Sequence, residues 1–120
     1  MHPLLPVMAG GAIGAGLRFL TGLLIPERNG WPWGTFAVNL LGGFAMGLLA
    51  ASLLKGHASE AMRLFAGVGI LGGFTTFSAF GLEGFRMIEG GQWSMALGYA
   101  LASVIGAVAA LAAGYALVRP

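Results

Sequence analysis

Four apolar segments, each about long enough to cross a bilayer, take up most of this 120-residue chain. They cover approximately residues 4–25, 33–54, 63–85 and 93–118. A membrane-spanning helix needs roughly 20 mostly apolar residues. Only 8% of the residues are charged, against about 25% in a soluble domain, so the chain cannot cover a water-facing surface. The sequence therefore predicts an all-α membrane protein, with residues 1–120 forming a single domain of four transmembrane helices.

The positive charges of the loops and span ends are divided almost evenly between the two sides of the membrane. Four spans place Lys55, Arg63 and Arg119 on the side of the termini, and Arg28 and Arg86 on the other. Orientation is set by the asymmetry of Lys and Arg. Three charges and the terminal amine against two either fix the termini inside or leave the chain free to insert both ways. In the second case, oppositely oriented copies can pair about a two-fold axis in the membrane plane.

Composition also excludes several classes of function. A net charge of +2, scattered along the chain, does not indicate nucleic-acid binding. The chain has no Cys, which rules out disulfides and thiolate metal sites. No carboxylate, His or Lys stands in the middle of a span, although proton-coupled transporters usually carry ionisable residues there. No Ser in the middle of a span has a His or other base within one helical turn, so we do not expect an enzyme.

Small residues recur at helical spacing in the spans and predict close helix packing. The longest set follows one face of the fourth span: Gly98, Ala102, Gly106, Ala110 and Gly114. Shorter pairs occur in the first and second spans: Gly10 with Gly14, and Gly43 with Gly47. Such ridges are usually packing seams and nothing more. Four tightly packed helices of this length enclose little volume, so a transport site is expected to form most simply between subunits.

The third span contains a run that is unusual for a membrane helix, Gly72-Gly73-Phe74-Thr75-Thr76-Phe77-Ser78-Ala79-Phe80. Lipid offers no partner for a freed backbone group, so irregular backbone at this depth must be buried in protein or line a wet cavity. The pair Gly72-Gly73 permits a break in the helix. Carbonyl groups freed by such a break are suitable ligands for Na⁺.

The side chains of this run provide a second kind of chemistry. Thr75, Thr76 and Ser78 supply hydroxyl groups. Phe77 and Phe80 are three residues apart and share a face where the helix resumes. The edges of Phe rings carry partial positive charge, so an anion can meet them where no cation is available. Neutral donors and ring edges suit a small anion better than a cation.

Polar residues in the other spans extend this set. Asn39 and Thr35 lie one turn apart on the second span, and Tyr99 and Ser103 share a face of the fourth. All four can line a polar path, or can simply bond to neighbouring helices, as is common in membrane bundles. Arg18 is the charge inside the first span. It either reaches the interface by snorkelling or attracts anions at a vestibule.

Near the end of the third span, Glu83 and Arg86 stand at i,i+3 spacing. A pair at this spacing on one helix face favours a solvated helix end, and we interpret it so.

Three stretches make the chain resemble the Fluc (CrcB-type) fluoride channel family: 10–18, 34–42 and 72–80. The resemblance covers essentially the whole chain. It implies a dual-topology, antiparallel homodimer with a broken third helix and two pores, conducting fluoride passively out of the cytoplasm of a prokaryote across its inner membrane. HF enters uncharged from an acidic exterior and ionises inside, so the trapped anion needs an exit.

The resemblance also implies roles for residues, carried over by position. Phe77, Phe80 and Asn39 match pore residues of the family, and Thr76 and Ser78 lie in the same motif. The backbone carbonyls of Gly72 and Thr75 match the donors to a central structural Na⁺ at the dimer interface. Tyr99 and Ser103 match the family's polar track on the fourth span, and Arg18 matches its first-span arginine. Thr35, one turn from Asn39, is included with the pore residues.

Two departures from the family pattern affect the polar track. Ala79 stands where the family often has Thr, and Ala107 stands where some members continue the track with Ser. At least one pore-lining hydroxyl is therefore expected to be missing. Two other readings fit the layout: a small multidrug-resistance-type exporter, which needs a Glu in the first span where this chain has only Arg18, and an assembly subunit, which leaves the polar third-span run unexplained.

Overall fold

The computed structural model describes residues 2–119, and the fold they form is helical. Four helices are long and apolar enough to cross a membrane, and their bounds are Leu4–Leu24, Trp33–Leu54, Glu60–Glu89 and Trp93–Val118. The predicted all-α organisation with four spans is confirmed. The third helix is longer at both ends than the sequence indicated. Met1, with its terminal amine, and Pro120 lie outside the described residues.

The third span is a composite of shorter pieces. In chain order these are an α-helical turn at Glu60–Met62, a π-helical segment at Arg63–Leu71, an α-helical turn at Gly72–Phe74, and an α-helix at Phe77–Glu89. Thr75 and Thr76, between the last two pieces, have extended backbone, with ψ angles of 156° and 121°. The prediction that the backbone opens at Gly72-Gly73 is therefore wrong in position, because both glycines are helical.

Close packing explains why a glycine is needed at position 73. A Cβ atom there would lie 2.5 Å from the carbonyl oxygen of Gly11 and 3.1 Å from the amide nitrogen of Ala15. The first and third spans thus touch through their backbones at this level. Gly73 serves helix contact, and the extended conformation begins two residues later, where side chains of another span replace the helical hydrogen bonds.

The first span packs mainly against the π-helical segment and the turn after it. A Cβ added to Gly10 or Gly14 would overlap the carbonyl oxygens of Phe65 and Ile70 respectively. Backbone-to-backbone approach of this kind is what small residues permit in membrane helices. The predicted seam on the first span is confirmed.

The second span packs mainly against the fourth. A Cβ on Gly43 would lie 2.9 Å from the carbonyl oxygen of Ala107, and one on Gly47 would overlap that of Leu111. Gly114, on the fourth span, meets the Phe44 carbonyl in the same way. The predicted seam is confirmed there, but a Cβ on Gly98 would meet no neighbour within 4 Å. The ridge of the fourth span is therefore used only in part within one chain.

A tight turn joins the first and second spans. Asn29 and Gly30 have φ angles of 53° and 79°, the left-handed region favoured in two-residue turns of the Asn-Gly type. Arg28 and Trp31 flank the turn, and each donates its backbone N–H to the other's carbonyl at 3.1 and 2.9 Å. This turn holds the Trp31 ring 5.2 Å from that of Tyr99, centroid to centroid. It also fixes the backbone of Arg28 at the end of the bundle where the first and second spans are joined.

Candidate functional site

The two extended residues of the third span are held by one side chain of the second. The Asn39 carbonyl oxygen accepts a hydrogen bond from the Thr76 N–H at 2.8 Å, and the Asn39 amide group donates to the Thr76 carbonyl at 3.1 Å. The amide therefore pairs with Thr76 as a second backbone strand would. Asn has two N–H donors, so one of them is left over for another acceptor.

This pairing changes the partners of two backbone carbonyls. In a continuous α-helix the N–H of Thr76 would donate to Gly72, and that of Ala79 would donate to Thr75. Here the first donates to Asn39, and the second donates to the hydroxyl of Thr76 at 3.1 Å. The carbonyls of Gly72 and Thr75 are thus relieved of the donors that an α-helix would give them.

Arg18 is half-buried and contacts the third span. Its Nε donates to the carbonyl of Gly73 at 3.0 Å, which is another carbonyl next to the extended residues. The guanidinium borders a small cavity of about 80 Å³, together with Thr35, Thr76 and Ala79. The bond to Gly73 directs the Arg18 side chain toward the third span, and its role at a vestibule stays a prediction.

Phe77 and Phe80 begin the helix that follows the extended residues. Their ring centroids are 5.7 Å apart, with a tilt of 41° between the planes. Phe80 also packs on Tyr99, at 5.1 Å between centroids. Phe77 is 84% exposed, so in a single chain one face of this ring pair is uncovered.

A cavity of about 390 Å³ brings together most of the predicted site residues. Its lining includes Asn39, Gly72, Thr75, Thr76, Phe77, Phe80, Ser103 and Ala107. The hydroxyl of Ser103 is buried at this wall without a hydrogen-bond partner among the described residues. Ala107 lies one turn further along the fourth span, where a serine would add a second hydroxyl. The cavity therefore combines freed carbonyls, hydroxyl groups and ring edges on one side of the chain.

Four predicted site residues lie outside the lining of this cavity: Arg18, Thr35, Ser78 and Tyr99. The Ser78 hydroxyl is 3.4 Å from that of Thr76, so it adjoins the cavity through one residue. The Tyr99 side chain is fully buried. The structure separates Thr35 and Tyr99 from the large cavity and brings them to a carboxylate instead.

That carboxylate is Glu83, which sequence reasoning did not include in the site. Thr35 donates its hydroxyl hydrogen to one Glu83 oxygen at 2.6 Å, and Tyr99 donates to the other at 2.8 Å. The interpretation of Glu83 and Arg86 as a solvated helix end is wrong for Glu83, whereas the Arg86 side chain is exposed. The Glu83 side chain is partly buried and bonds to the second and fourth spans. Glu83 stands three residues after Phe80, and this spacing, which places both side chains on one helix face, could have indicated its position.

Comparison with known proteins defines the family. A family model described as CrcB-like protein, Camphor Resistance (CrcB), matches residues 5–115. The chain belongs to the CrcB family. A CrcB chain with four helices that can span a membrane is a multi-pass membrane protein.

Related proteins match this CrcB chain over nearly their full lengths. A protein of Phenylobacterium zucineum is 54% identical, with 99% of this chain and 97% of the relative covered. One of Mesorhizobium japonicum is 52% identical over 99% and 98%, and one of Sphingopyxis alaskensis is 50% identical over 99% and 97%. Each of the three is named "Fluoride-specific ion channel FluC".

Proposed function

We propose that this chain is a fluoride-specific ion channel and not an enzyme. The observation that carries this proposal is identity of about half over almost the entire length to relatives named as fluoride-specific ion channels. Passive conduction gives cytoplasmic fluoride a way out, and so confers resistance to fluoride that has entered as HF. The corresponding location is the inner membrane of a prokaryotic cell.

The chemistry of the large cavity supports conduction of a small anion. Fluoride crossing the membrane must exchange its water shell for donors supplied by the protein. The spare N–H of Asn39 and the hydroxyls of Thr76 and Ser103 are such donors. Phe77 and Phe80 add ring edges with partial positive charge. Neutral donors bind the anion weakly enough for it to leave again, which conduction requires.

Glu83 and its two hydroxyl partners contribute to the same pathway in our proposal. A carboxylate repels anions, but here both of its oxygens accept hydrogen bonds, from Thr35 and Tyr99. These bonds hold the carboxylate at the level of Phe80, and the two donated hydrogens partly offset its negative charge. Arg18, which lines the neighbouring small cavity, supplies positive potential behind the extended residues.

The complete channel in this proposal is an antiparallel homodimer of dual-topology chains. The cavity is open on one side, and Phe77 beside it is 84% exposed. A second copy that covers this side converts an open cavity into a closed pore, and two-fold symmetry then gives two pores. The near balance of Lys and Arg between the two ends supports insertion in both orientations.

A central Na⁺ held by the carbonyls of Gly72 and Thr75 completes the proposal. Both carbonyls lack their α-helical N–H donors because Asn39 and the Thr76 hydroxyl take those donors. Oxygen ligands of unwound backbone suit Na⁺. Two carbonyls from one chain are few for a cation, and a two-fold related copy doubles the number. The broken third helix thereby acquires a structural purpose at the centre of the dimer.

Purified protein in liposomes tests the channel. Liposomes loaded with fluoride are expected to release it rapidly, without a proton or sodium gradient, and to retain chloride. Absence of fluoride release, with normal protein incorporation, would overturn the proposal. Proton-driven release of a cationic drug would identify an exporter, and no release of either solute would identify an assembly subunit.

The Na⁺ is tested separately on the purified dimer. Replacing Na⁺ by N-methyl-D-glucamine is expected to lower the melting temperature of the dimer, because bound ligand stabilises the folded state by mass action. Replacing chloride by gluconate at constant Na⁺ is the control and should leave the melting temperature unchanged. An equal melting temperature in Na⁺ and in N-methyl-D-glucamine contradicts the ion site and leaves the channel itself untouched.

A further inference from the structure

A second concave surface lies at the end of the bundle where the first span stops and the second begins. It is a groove of about 430 Å³ between Leu24 and Ile25 on one side and Phe36 and Ala37 on the other. These walls are apolar. The groove shares no lining residue with the cavity of about 390 Å³, so it is separate from the proposed pore.

One charged residue borders this groove. Arg28 lines it, and its backbone is fixed by the tight turn described above. Within residues 2–119 no carboxylate lies within ion-pair distance of Arg28, whose side chain is exposed. A groove at the opposite end of the bundle provides a contrast, because its arginine, Arg63, is already paired with Glu60 through two guanidinium nitrogens.

The groove is positioned at the level where lipid headgroups meet acyl chains. Trp33 lines it at the first residue of the second span and is 44% exposed, and Trp side chains at span ends favour the membrane interface. Leu24, on the opposite wall, is 81% exposed. The polar end of the groove therefore faces headgroups, and its apolar walls face the hydrocarbon region.

We propose that this groove binds an anionic phospholipid. The lipid phosphate bonds to Arg28, whose planar guanidinium matches phosphate in a bidentate manner. One acyl chain lies between Leu24 and Ala37. Basic pockets between membrane helices bind anionic headgroups in this way. A lone unpaired cation selects lipids with net negative charge over zwitterionic ones, which carry their own ammonium group. The inference is independent of the ion that the channel conducts.

Native mass spectrometry of the full-length protein measures this selectivity directly. Detergent-solubilised protein is titrated with equimolar phosphatidylglycerol and phosphatidylcholine, and the ratio of the bound lipids is recorded. Arg28→Gln is expected to lower this ratio about fivefold, the factor that corresponds to about 1 kcal/mol per basic residue near a lipid surface. Arg86→Gln is the matched control, because it removes the same charge from an exposed residue at the same end of the molecule. Its ratio should equal that of the wild type.

An uncharged variant tests the groove itself. Ala37→Phe fills the space between the walls and should reduce retention of both lipids while the net charge stays constant. Equal losses of phosphatidylglycerol in Arg28→Gln and Arg86→Gln would show general electrostatic attraction and overturn the site. Dissociation of the dimer in Arg28→Gln, with lipid binding unchanged, would assign the groove to a protein contact and overturn it as well.

Discussion

Asn39 shows how one side chain determines a backbone conformation inside a membrane. An extended residue in the middle of a span loses two helical hydrogen bonds, and lipid cannot replace them. The amide of Asn39 satisfies the N–H and the carbonyl of Thr76 together. No smaller polar side chain carries both a donor and an acceptor in this arrangement. The geometry of the large cavity therefore depends on a residue of another span.

Replacing Asn39 by Leu leaves two backbone groups of Thr76 without a partner and is expected to destabilise the folded protein by about 2–6 kcal/mol, since each such group costs about 1–3 kcal/mol. Fluoride release should fall with it, because the Thr76 backbone loses its position. Ser52→Ala on the same helix is the control, as its hydroxyl donates only to Leu48 within that helix. Thermal unfolding followed by Trp fluorescence measures both variants. Similar melting temperatures for the two contradict the role of Asn39.

Phe80→Ile should slow fluoride release about tenfold or more while leaving the dimer folded. The substitution keeps an apolar side chain but removes the ring edge, and a loss of about 1.4 kcal/mol at the barrier corresponds to a tenfold slower rate. Phe19→Ile is the matched control, because Phe19 is 67% exposed on the first span. Initial rates from fluoride-loaded liposomes give the comparison. Equal rates for Phe80→Ile and Phe19→Ile count against the ring-edge contact.

Single residues also show what the sequence can and cannot indicate. The run from Gly72 to Phe80 stands out because polar groups at membrane depth need a reason, and most of it lines the cavity. The sequence did not indicate a site role for Glu83, because it stands near the end of its span with Arg86 three residues later. Only packing of the second and fourth spans brings Thr35 and Tyr99 onto it.

At the level of whole helices, the spacing of small residues predicted the packing seams. It did not predict where the backbone of the third span opens. Glycine permits both close helix approach and non-helical backbone, and a sequence does not state which use applies. At Gly73 the neighbouring backbone of the first span decides for close approach. The extended backbone at Thr75 and Thr76 depends on hydrogen bonds from Asn39, which is remote in the chain.

This distinction predicts different responses to adding a single methyl group. Gly73→Ala should destabilise the protein by about 1–3 kcal/mol or more, because overpacking forces backbone shifts where the new Cβ would lie 2.5 Å from the Gly11 carbonyl oxygen. Gly16→Ala is the matched control, as a Cβ there has no neighbour within 4 Å. It should be neutral or stabilise by up to about 1 kcal/mol through helix propensity. Chemical unfolding in detergent compares them, and equal stabilities would refute the seam at Gly73.

The whole molecule leaves its most informative surface uncovered. The large cavity, the exposed ring of Phe77 and the carbonyls of Gly72 and Thr75 all lie on one side of the chain. The seam between the second and fourth spans reaches the wall of this cavity, because Gly43 and Ala107 belong to both. In the proposed antiparallel dimer, a second copy covers this side and completes the pathway. The distribution of positive charges, three against two, is compatible with the insertion in both orientations that this dimer needs.

Orientation can be biased to test this relation. His57→Lys with Ala58→Lys raises the number of positive residues in the loops and span ends on the side of the termini from three to five, against two on the other side. This change should force one orientation because added Lys residues retain their loop inside. If the channel is antiparallel, fluoride release from cells should disappear, although the protein is still inserted. Gln at both positions is the control and should retain activity.

Glu27→Lys with Glu89→Lys favours the opposite orientation and should also be inactive alone. Coexpression of the two biased chains should restore release, since each supplies the inverted partner that the other lacks. Full activity of either biased chain by itself contradicts the antiparallel dimer.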